Sequence, residues 1–312
     1  MSSSHGSNSS SSTHSGSDCL TGNAREAIVY STNIGSGEKA TGSVSGSTSC
    51  ATVHEIAKVT WAERLFFLLF TAVERRNRRY SLVGDHEFFN LSEFPWVEEV
   101  AKATADIQKE LDTVLARREQ LPNFQDISPD QRMLTTDSGW KTFFFYGYGV
   151  RAPMNCSLCP KTEAVLQRIP GMTTAYFSIL APGKELPPHR GPYNGVLRFH
   201  LGLIIPKPIE QCAIRVGQSV RHWSEGQPLV FDDSYNHQAW NHSNQWRVVL
   251  FVDFKRPLPT VSAAINNVML WIIRRTPFIT VATRNLRAWE KTFYVYDGAL
   301  DASSCTTVRN SP

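Results

Sequence analysis

The chain is 312 residues long, 41% hydrophobic and 11% aromatic, enough apolar side chain for a substantial globular core. Its 32 basic and 28 acidic residues leave a formal charge of +4 and a pI near 8.7, too small an excess for a dedicated nucleic-acid binder. Six cysteines are spread over the whole length with only Cys156 and Cys159 close together, which argues against a disulfide framework or a structural zinc site.

Residues 1–52 are rich in Ser and Gly and hold few large apolar side chains. Such a segment cannot bury enough surface to offset its ordering entropy, so a disordered tail is expected. It lacks the basic and then apolar pattern of a secretory signal, and the expected location is the cytoplasm. Residues 53–125 read as an N-terminal helical region. From Glu55 to Tyr80, Ile56, Val59, Leu65, Leu68, Leu69 and Val73 recur at helical spacing and end in Arg75, Arg76, Arg78 and Arg79, which predicts a helix with a cationic end. A second helix is predicted over Trp96–Arg118, with Val97, Val100, Ile107, Leu111 and Leu115 as its apolar face and a stop before Pro122.

Residues 126–258 change character. Short β-branched and aromatic runs at Thr142–Tyr146, Ala175–Leu180, Val196–Ile205, Ala213–Val216, Pro228–Asp232 and Arg247–Phe254 are punctuated by Pro and Gly, the pattern of many short strands. A closed or sandwiched antiparallel sheet manages such edges best, so the expected fold is mainly β with flanking helices, a cupin-like jelly roll. Residues 259–312 turn helical again, over Ala263–Ile273 and Thr283–Phe293, split at Thr276-Pro277. The longest apolar runs, Leu65–Val73 and Val268–Ile273, fall far short of the roughly 20 residues a spanning helix needs.

Chemistry concentrates in two segments. The first is Pro187-Pro188-His189-Arg190-Gly191-Pro192-Tyr193, followed by Leu197-Arg198-Phe199-His200-Leu201; the second is Phe231-Asp232-Asp233-Ser234-Tyr235-Asn236-His237, followed by Arg247 on an apolar strand. His189 and His237 are expected to project from loops into one pocket, where neutral imidazoles suit Fe(II) and leave coordination positions open. Taken alone, two histidines 48 positions apart are weak evidence for a metal, and satisfied structural histidines are the alternative. Arg247 opens a run apolar enough to be buried and could bind a carboxylate bidentately; a strand-end salt bridge is the alternative. Arg198 and His200 alternate with Phe199 and Leu201, so they share one strand face. Asp232 or Asp233 could add a third ligand, or could serve local turn hydrogen bonds. Cys156-x-x-Cys159 has no thioredoxin-like context and reads as a loop element.

Together the two segments resemble the signature of the aspartyl/asparaginyl β-hydroxylase family over about Trp140–Pro257. The resemblance implies a double-stranded β-helix that binds Fe(II) through His189 and His237, with Gly191 where the wider oxygenase class places a carboxylate. It also implies 2-oxoglutarate as co-substrate, its 5-carboxylate held by Arg247 and Ser178 and its metal-side carboxylate met by Arg198 and His200. Trp140 matches a family tryptophan near the co-substrate, or is a core aromatic.

The implied partners are 2-oxoglutarate, O2 and an unidentified substrate, either a peptidyl residue, a lipid acyl chain or a small molecule. Family members acting on protein side chains carry Arg-Leu-Arg where this chain has Val196-Leu197-Arg198, whereas the bacterial lipid A hydroxylases share His-Arg-x-Pro-Tyr but with aspartate in place of Gly191. Phe254–Leu258 with Leu270–Arg275, and Leu65–Arg79, carry aromatic and cationic anchors suited to a peripheral membrane contact; the other reading is that these helices cover the barrel. A non-catalytic cupin-like binding module is the alternative function, separated by iron binding and 2-oxoglutarate turnover.

Overall fold

The computed structural model describes residues 61–305; the expected Ser/Gly-rich tail and the helix start at Glu55, Ile56 and Val59 lie outside them. Helix α1 spans Trp61–Arg79 and ends on Arg76, Arg78 and Arg79. It does not bury the apolar positions expected of it. Leu65, Leu68 and Leu69 are exposed, while Glu74 and Asn77 are buried. Periodicity located the stripe but not the side that meets the barrel.

Over Trp96–Arg118 the chain forms α2 (Trp96–Lys102) and α3 (Thr104–Leu115) rather than one helix. The backbone leaves helical geometry at Ala103, where ψ is 4°. Val97, Val100, Ile107 and Leu111 are nonetheless buried as expected. A short α4 (Phe124–Ile127) follows, closed by a reciprocal Asn123–Asp126 capping box.

Next come β1 (Trp140–Gly147), β2 (Val150–Arg151), α5 (Pro153–Leu158) and α6 (Pro160–Leu166). Cys156 therefore lies in a helix and Cys159 at a helix junction, not in a loop, because Pro153 and Pro160 each open a helix where no backbone N–H is needed. Burial pushes the Cys156 thiol up to about 12, so it is inert rather than redox-active.

The remaining elements are β3 (Met172–Leu180), β4 (Glu185–His189), β5 (Val196–Ile204), β6 (Cys212–Val216), β7 (Ser219–His222), β8 (Pro228–Phe231), β9 (His237–Asn241), β10 (Arg247–Lys255), α7 (Thr260–Ile273) and α8 (Pro277–Cys305). They build a six-stranded sheet ordered β2-β1-β3-β10-β5-β8 and a four-stranded sheet ordered β4-β9-β6-β7. All strand pairs within the sheets are antiparallel. This is the jelly roll expected from the strand spacing.

Two apolar clusters follow from the period-two alternation of the central strands. Phe143, Phe145, Phe177, Leu197, Phe199, Leu201, Val248, Leu250 and Val252 join Val97, Val100, Ile107 and Leu111 beneath the helices. The opposite face carries Trp140, Phe144, Tyr176, Val249 and Phe251, which pack with Leu186, Ile214, Val216 and Ala239 of the second sheet. The polar residues Ser178, Arg198, His200, Arg247 and Asp253 share that inner face, interleaved with its apolar members.

Candidate active site

Strand register sets the site. In β10 and its neighbours Phe251 pairs with Tyr176 on one side and His200 on the other, Asp253 with Arg198, and Val249 with Ser178; Thr142 of β1 pairs with Ser178. The inner face of the six-stranded sheet thus presents Ser178, Tyr176, His200, Arg198 and Arg247 toward the second sheet.

The histidines come from that second sheet. His189 ends β4 and His237 begins β9, and the two are cross-strand partners, so they stand on strands and not on loops. Sequence punctuation misleads here because Pro187 and Pro188 are tolerated on β4, an edge strand that needs few ladder donors. The ring centroids are 4.1 Å apart. Nδ1 of His189 lies 2.7 Å from the Pro187 carbonyl oxygen, and Nδ1 of His237 lies 3.0 Å from that of Tyr235. A carbonyl only accepts, so each ring carries its proton on Nδ1 and keeps an Nε2 lone pair, the tautomer a metal requires. Burial lowers His189 to about 4 and holds His237 well below the ordinary histidine range, with His189 and Arg198 adding to the effect. Both imidazoles are neutral.

Asp233 lies beside them. Its Oδ2 pairs with Arg198 at 2.8 Å, and burial pushes its carboxyl up to about 7 despite that cation. Arg198 also donates Nε to Asp253 Oδ1 at 2.8 Å and covers the Phe251 ring at 4.2 Å, so its guanidinium is shared between two acids. Asp232 is committed elsewhere, to an ion pair with the buried Arg256 and to the Ser234 backbone N–H. Among the described residues no group of three His, Cys, Asp or Glu side chains is arranged as a metal site; the two histidines stand as a pair.

Deeper in the barrel, Arg247 is 2% exposed and lies 4.5 Å over the Trp223 ring. Burial lowers its pKa to about 10, so it remains charged at neutral pH. Its recorded polar contact is a 3.4 Å hydrogen bond from Nη1 to the Ser178 carbonyl, and among the described residues no carboxylate pairs with it. The salt bridge offered as its alternative reading is absent there. Among the described residues, Arg247 Nε and, around it, both ring nitrogens of His200, the Tyr176 hydroxyl and Trp223 Nε1 are buried without a hydrogen-bond partner. Buried polar atoms are nearly always satisfied, so such a concentration could hold a polar, anionic guest. Ser178 Oγ accepts from Trp140 Nε1 at 3.0 Å, which leaves its own proton free to donate and gives Trp140 a polar role inside the core.

All seven expected site residues thus gather on the inner surfaces of one barrel. Tyr176, Trp223 and Asp253 were not among them. Asp253 had a signal, a lone acid inside an apolar strand; Tyr176 and Trp223 look like ordinary core aromatics until their polar atoms are counted. A cavity of about 1220 Å³ runs from His189, His237 and Asp233 past Tyr176 and Phe251 to α7 and α8.

The aspartyl/asparaginyl beta-hydroxylase family matches residues 101–257. An ornithine lipid ester-linked acyl 2-hydroxylase from Rhizobium tropici is 48% identical over 74% of this chain and 82% of its own length. The aspartyl/asparaginyl beta-hydroxylase of Homo sapiens is 37% identical over 41% of this chain but only 17% of the human protein. Among solved structures, a Cupin 2 conserved barrel domain protein from Salinispora arenicola aligns over 45% of this chain and 92% of its own, with 9% identity and a TM-score of 0.27. With the family matched over half of its length and a relative similar over most of both chains, this hydroxylase belongs to the aspartyl/asparaginyl β-hydroxylase family.

Proposed function

We propose that the protein is an Fe(II)- and 2-oxoglutarate-dependent dioxygenase that hydroxylates an unactivated C–H bond of a lipid acyl chain. The observation that carries this reading is Arg247, a buried cation with no anionic partner among the described residues, inside the same barrel as two neutral histidines whose Nε2 atoms keep their lone pairs. A buried charge is costly unless paired, and a dicarboxylate bound at the metal would supply the missing anion.

His189 and His237 would hold the iron through Nε2, their rings oriented by the Pro187 and Tyr235 carbonyls. Arg247 and Ser178 would take the distal 5-carboxylate of 2-oxoglutarate, with the Tyr176 hydroxyl and Trp223 Nε1 as further donors. His200, kept neutral by burial and by the charges of Arg198 and Arg247, would donate from one ring nitrogen to a carboxylate nearer the metal. Arg198, already shared by Asp233 and Asp253, would add positive potential there and fix the Asp233 carboxylate beside the histidines. When bound, iron and 2-oxoglutarate would supply, with O2, an oxidant able to take hydrogen from an unactivated carbon. The apolar side chains along the cavity would shield that carbon from water.

Two observations favour an acyl chain over a peptide side chain. Phe124, Leu134, Phe144, Leu270, Phe278 and Ile279 line the cavity that leads to the histidines, and an acyl chain matches such walls better than a polar backbone would. The relative similar over most of both chains is named for an acyl 2-hydroxylase. Purified protein loaded with Fe(II) should convert 2-oxoglutarate to succinate faster when acyl lipids are added, and mass spectrometry should find the lipid heavier by one oxygen. Stimulation by peptides and not by lipids would move the substrate assignment; absence of any 2-oxoglutarate turnover would favour a non-catalytic binding module.

A further inference from the structure

Helices α1 and α7 invert the usual pattern in part: Phe70 of α1 packs on Tyr193, yet large apolar residues of both helices also face water. A surface helix normally turns its apolar stripe to the core and its polar side to water. In α1 the buried residues are Glu74 and Asn77, whereas Trp61, Leu65, Leu68 and Leu69 are 79%, 49%, 65% and 55% exposed. In α7, Ser262 and Asn266 are buried with Met269, whereas Val261, Val268 and Trp271 are 64%, 59% and 56% exposed. In α1 the exposed apolar positions recur three and four apart, and in α7 Val261, Val268 and Trp271 stand seven and three apart, so each helix shows water an apolar stripe.

The inversion is enforced by polar docking. Asn77 donates Nδ2 to the Tyr193 hydroxyl at 3.1 Å, and that hydroxyl donates to Asn266 Oδ1 at 2.7 Å. Asn266 Nδ2 reaches the Gly195 carbonyl at 2.8 Å, Asn194 Nδ2 reaches the Glu74 carbonyl at 2.9 Å, and Arg190 pairs with the Glu74 carboxylate at 2.7 Å. Both helices are pinned by their polar sides to residues 190–195, which directly follow His189. They also pack against each other, so their apolar stripes face away from that segment together.

Among the described side chains of α1 and α7, arginines border the stripes. Arg64, Arg75 and Arg79 on α1 and Arg274 and Arg275 after α7 are exposed, and Arg275 stacks on Trp271 at 3.6 Å. Glu74 of α1 is buried and paired. An apolar face bordered by arginines and aromatic side chains complements an anionic bilayer, whose headgroups pair with the cations while the stripe enters the acyl boundary. The face also continues into the site, since Leu270, Trp271, Ile273 and Arg274 line the cavity that reaches His189 and His237.

We propose that the α1–α7 face is the surface by which this protein seats on an anionic membrane, so that an acyl chain passes from the bilayer past Trp271 to the histidines without crossing water. The entry route rests on the acyl-chain reading above; the docking does not.

The test is flotation of the full-length, metal-free protein with vesicles of phosphatidylcholine alone or mixed with phosphatidylglycerol. Wild type should float with the mixed vesicles, less so at high salt and less with phosphatidylcholine alone. Leu65→Glu/Leu68→Glu and Val261→Glu/Val268→Glu, which alter exposed residues outside the cavity lining, should each cut vesicle binding about tenfold or more, since each withdraws two large side chains from the acyl boundary. Arg75→Glu/Arg79→Glu should abolish the preference for phosphatidylglycerol. Succinate formation without lipid should be unchanged in all three, and hydroxylation of vesicle-embedded lipid should fall with binding. Wild type that stays unbound, or variants that bind as it does, would overturn the proposal. So would a wild-type dimer that the same variants dissociate without changing flotation, since the face would then join two copies of this chain. Loss of flotation in the variants, in a protein that never turns over 2-oxoglutarate, would uphold the docking face and refute the dioxygenase reading.

Discussion

The carboxylate of Asp233 fills the space that a side chain at Gly191 would need: a Cβ built there overlaps both the Asp233 carboxyl carbon and its oxygens. The two segments are also tied by a 2.8 Å hydrogen bond from Gly191 N to the Asp233 carbonyl. Glycine at 191 is therefore a close-approach residue, and the acid beside the histidines comes from the strand-connecting turn after β8.

Gly191→Ala should consequently displace Asp233 and weaken its ion pair with Arg198. Overpacking of this kind costs about 1 to 3 kcal/mol, to be read as a fall in midpoint on chemical denaturation. Adding Asp233→Ala should recover part of that loss by making room, giving a non-additive double-mutant cycle. Strictly additive effects would mean that the two side chains do not compete for one space. Gly191→Asp, which would install a carboxylate at the position usual in the wider oxygenase class, should suffer the same clash and not tighten iron.

His189→Ala and His237→Ala should each abolish Fe(II) binding in anaerobic titration calorimetry. If His189 and His237 are the two protein ligands, losing one would leave too little chelation to hold the ion. The fold should survive, because the hydrogen bonds the imidazoles make through Nδ1 are to carbonyls two residues before them in the chain. Stoichiometric iron in either variant would sink the metal assignment.

Trp140→Phe keeps the ring in its T-shaped contact with Phe124, 4.5 Å between centroids, and removes the donor to Ser178 Oγ. The Ser178 hydroxyl then loses the bond that orients it. One hydrogen bond is worth about 1 kcal/mol, so 2-oxoglutarate should bind several-fold more weakly while Fe(II) affinity stays constant. A drop in iron affinity of the same size would mean that the tryptophan supports the barrel as a whole.

How much of this was legible in sequence depended on whether the signal was local. Arg198, His200 and Arg247 were readable because strand alternation assigns faces without knowledge of the partner strand, and the structure puts all three on the inner face. The histidine-bearing strands β4 and β9 were not, because Pro187-Pro188 and Asp232-Asp233-Ser234 carry turn chemistry that outweighs a five-residue strand signal. Which way α1 faces was also beyond reach. Leu65 and Leu68 define a stripe, but only the partners of Glu74 and Asn77, more than a hundred positions away in sequence, decide that the stripe looks outward.

Arg247→Leu separates an oxygenase from a barrel that merely binds metal. The substitution conserves much of the buried volume and removes a charge that the ligand-free protein holds without a carboxylate partner. Burial lowers the folded pKa of Arg247 to about 10 from an ordinary value of 12.5. A cation whose folded pKa is depressed costs stability wherever the unfolded chain is protonated, so the cost is fully present at neutral pH and fades only as pH rises above about 10. The ligand-free variant should therefore melt no lower than wild type, and higher if leucine packs well against Trp223. Co-substrate reverses the order. In the proposed complex the 5-carboxylate would complete a buried charge pair, and lacking one partner of such a pair typically costs roughly 3 to 5 kcal/mol, about two to three and a half orders of magnitude in affinity at about 1.4 kcal/mol per tenfold. Anaerobic calorimetry with iron present should show that loss in the variant, with Fe(II) affinity unchanged in the absence of 2-oxoglutarate. Thermal melts should show 2-oxoglutarate raising the wild-type midpoint and leaving the variant's in place. Equal affinity in the two proteins would assign Arg247 a purely structural charge and shift the co-substrate carboxylate to Arg198 or remove it from the barrel altogether.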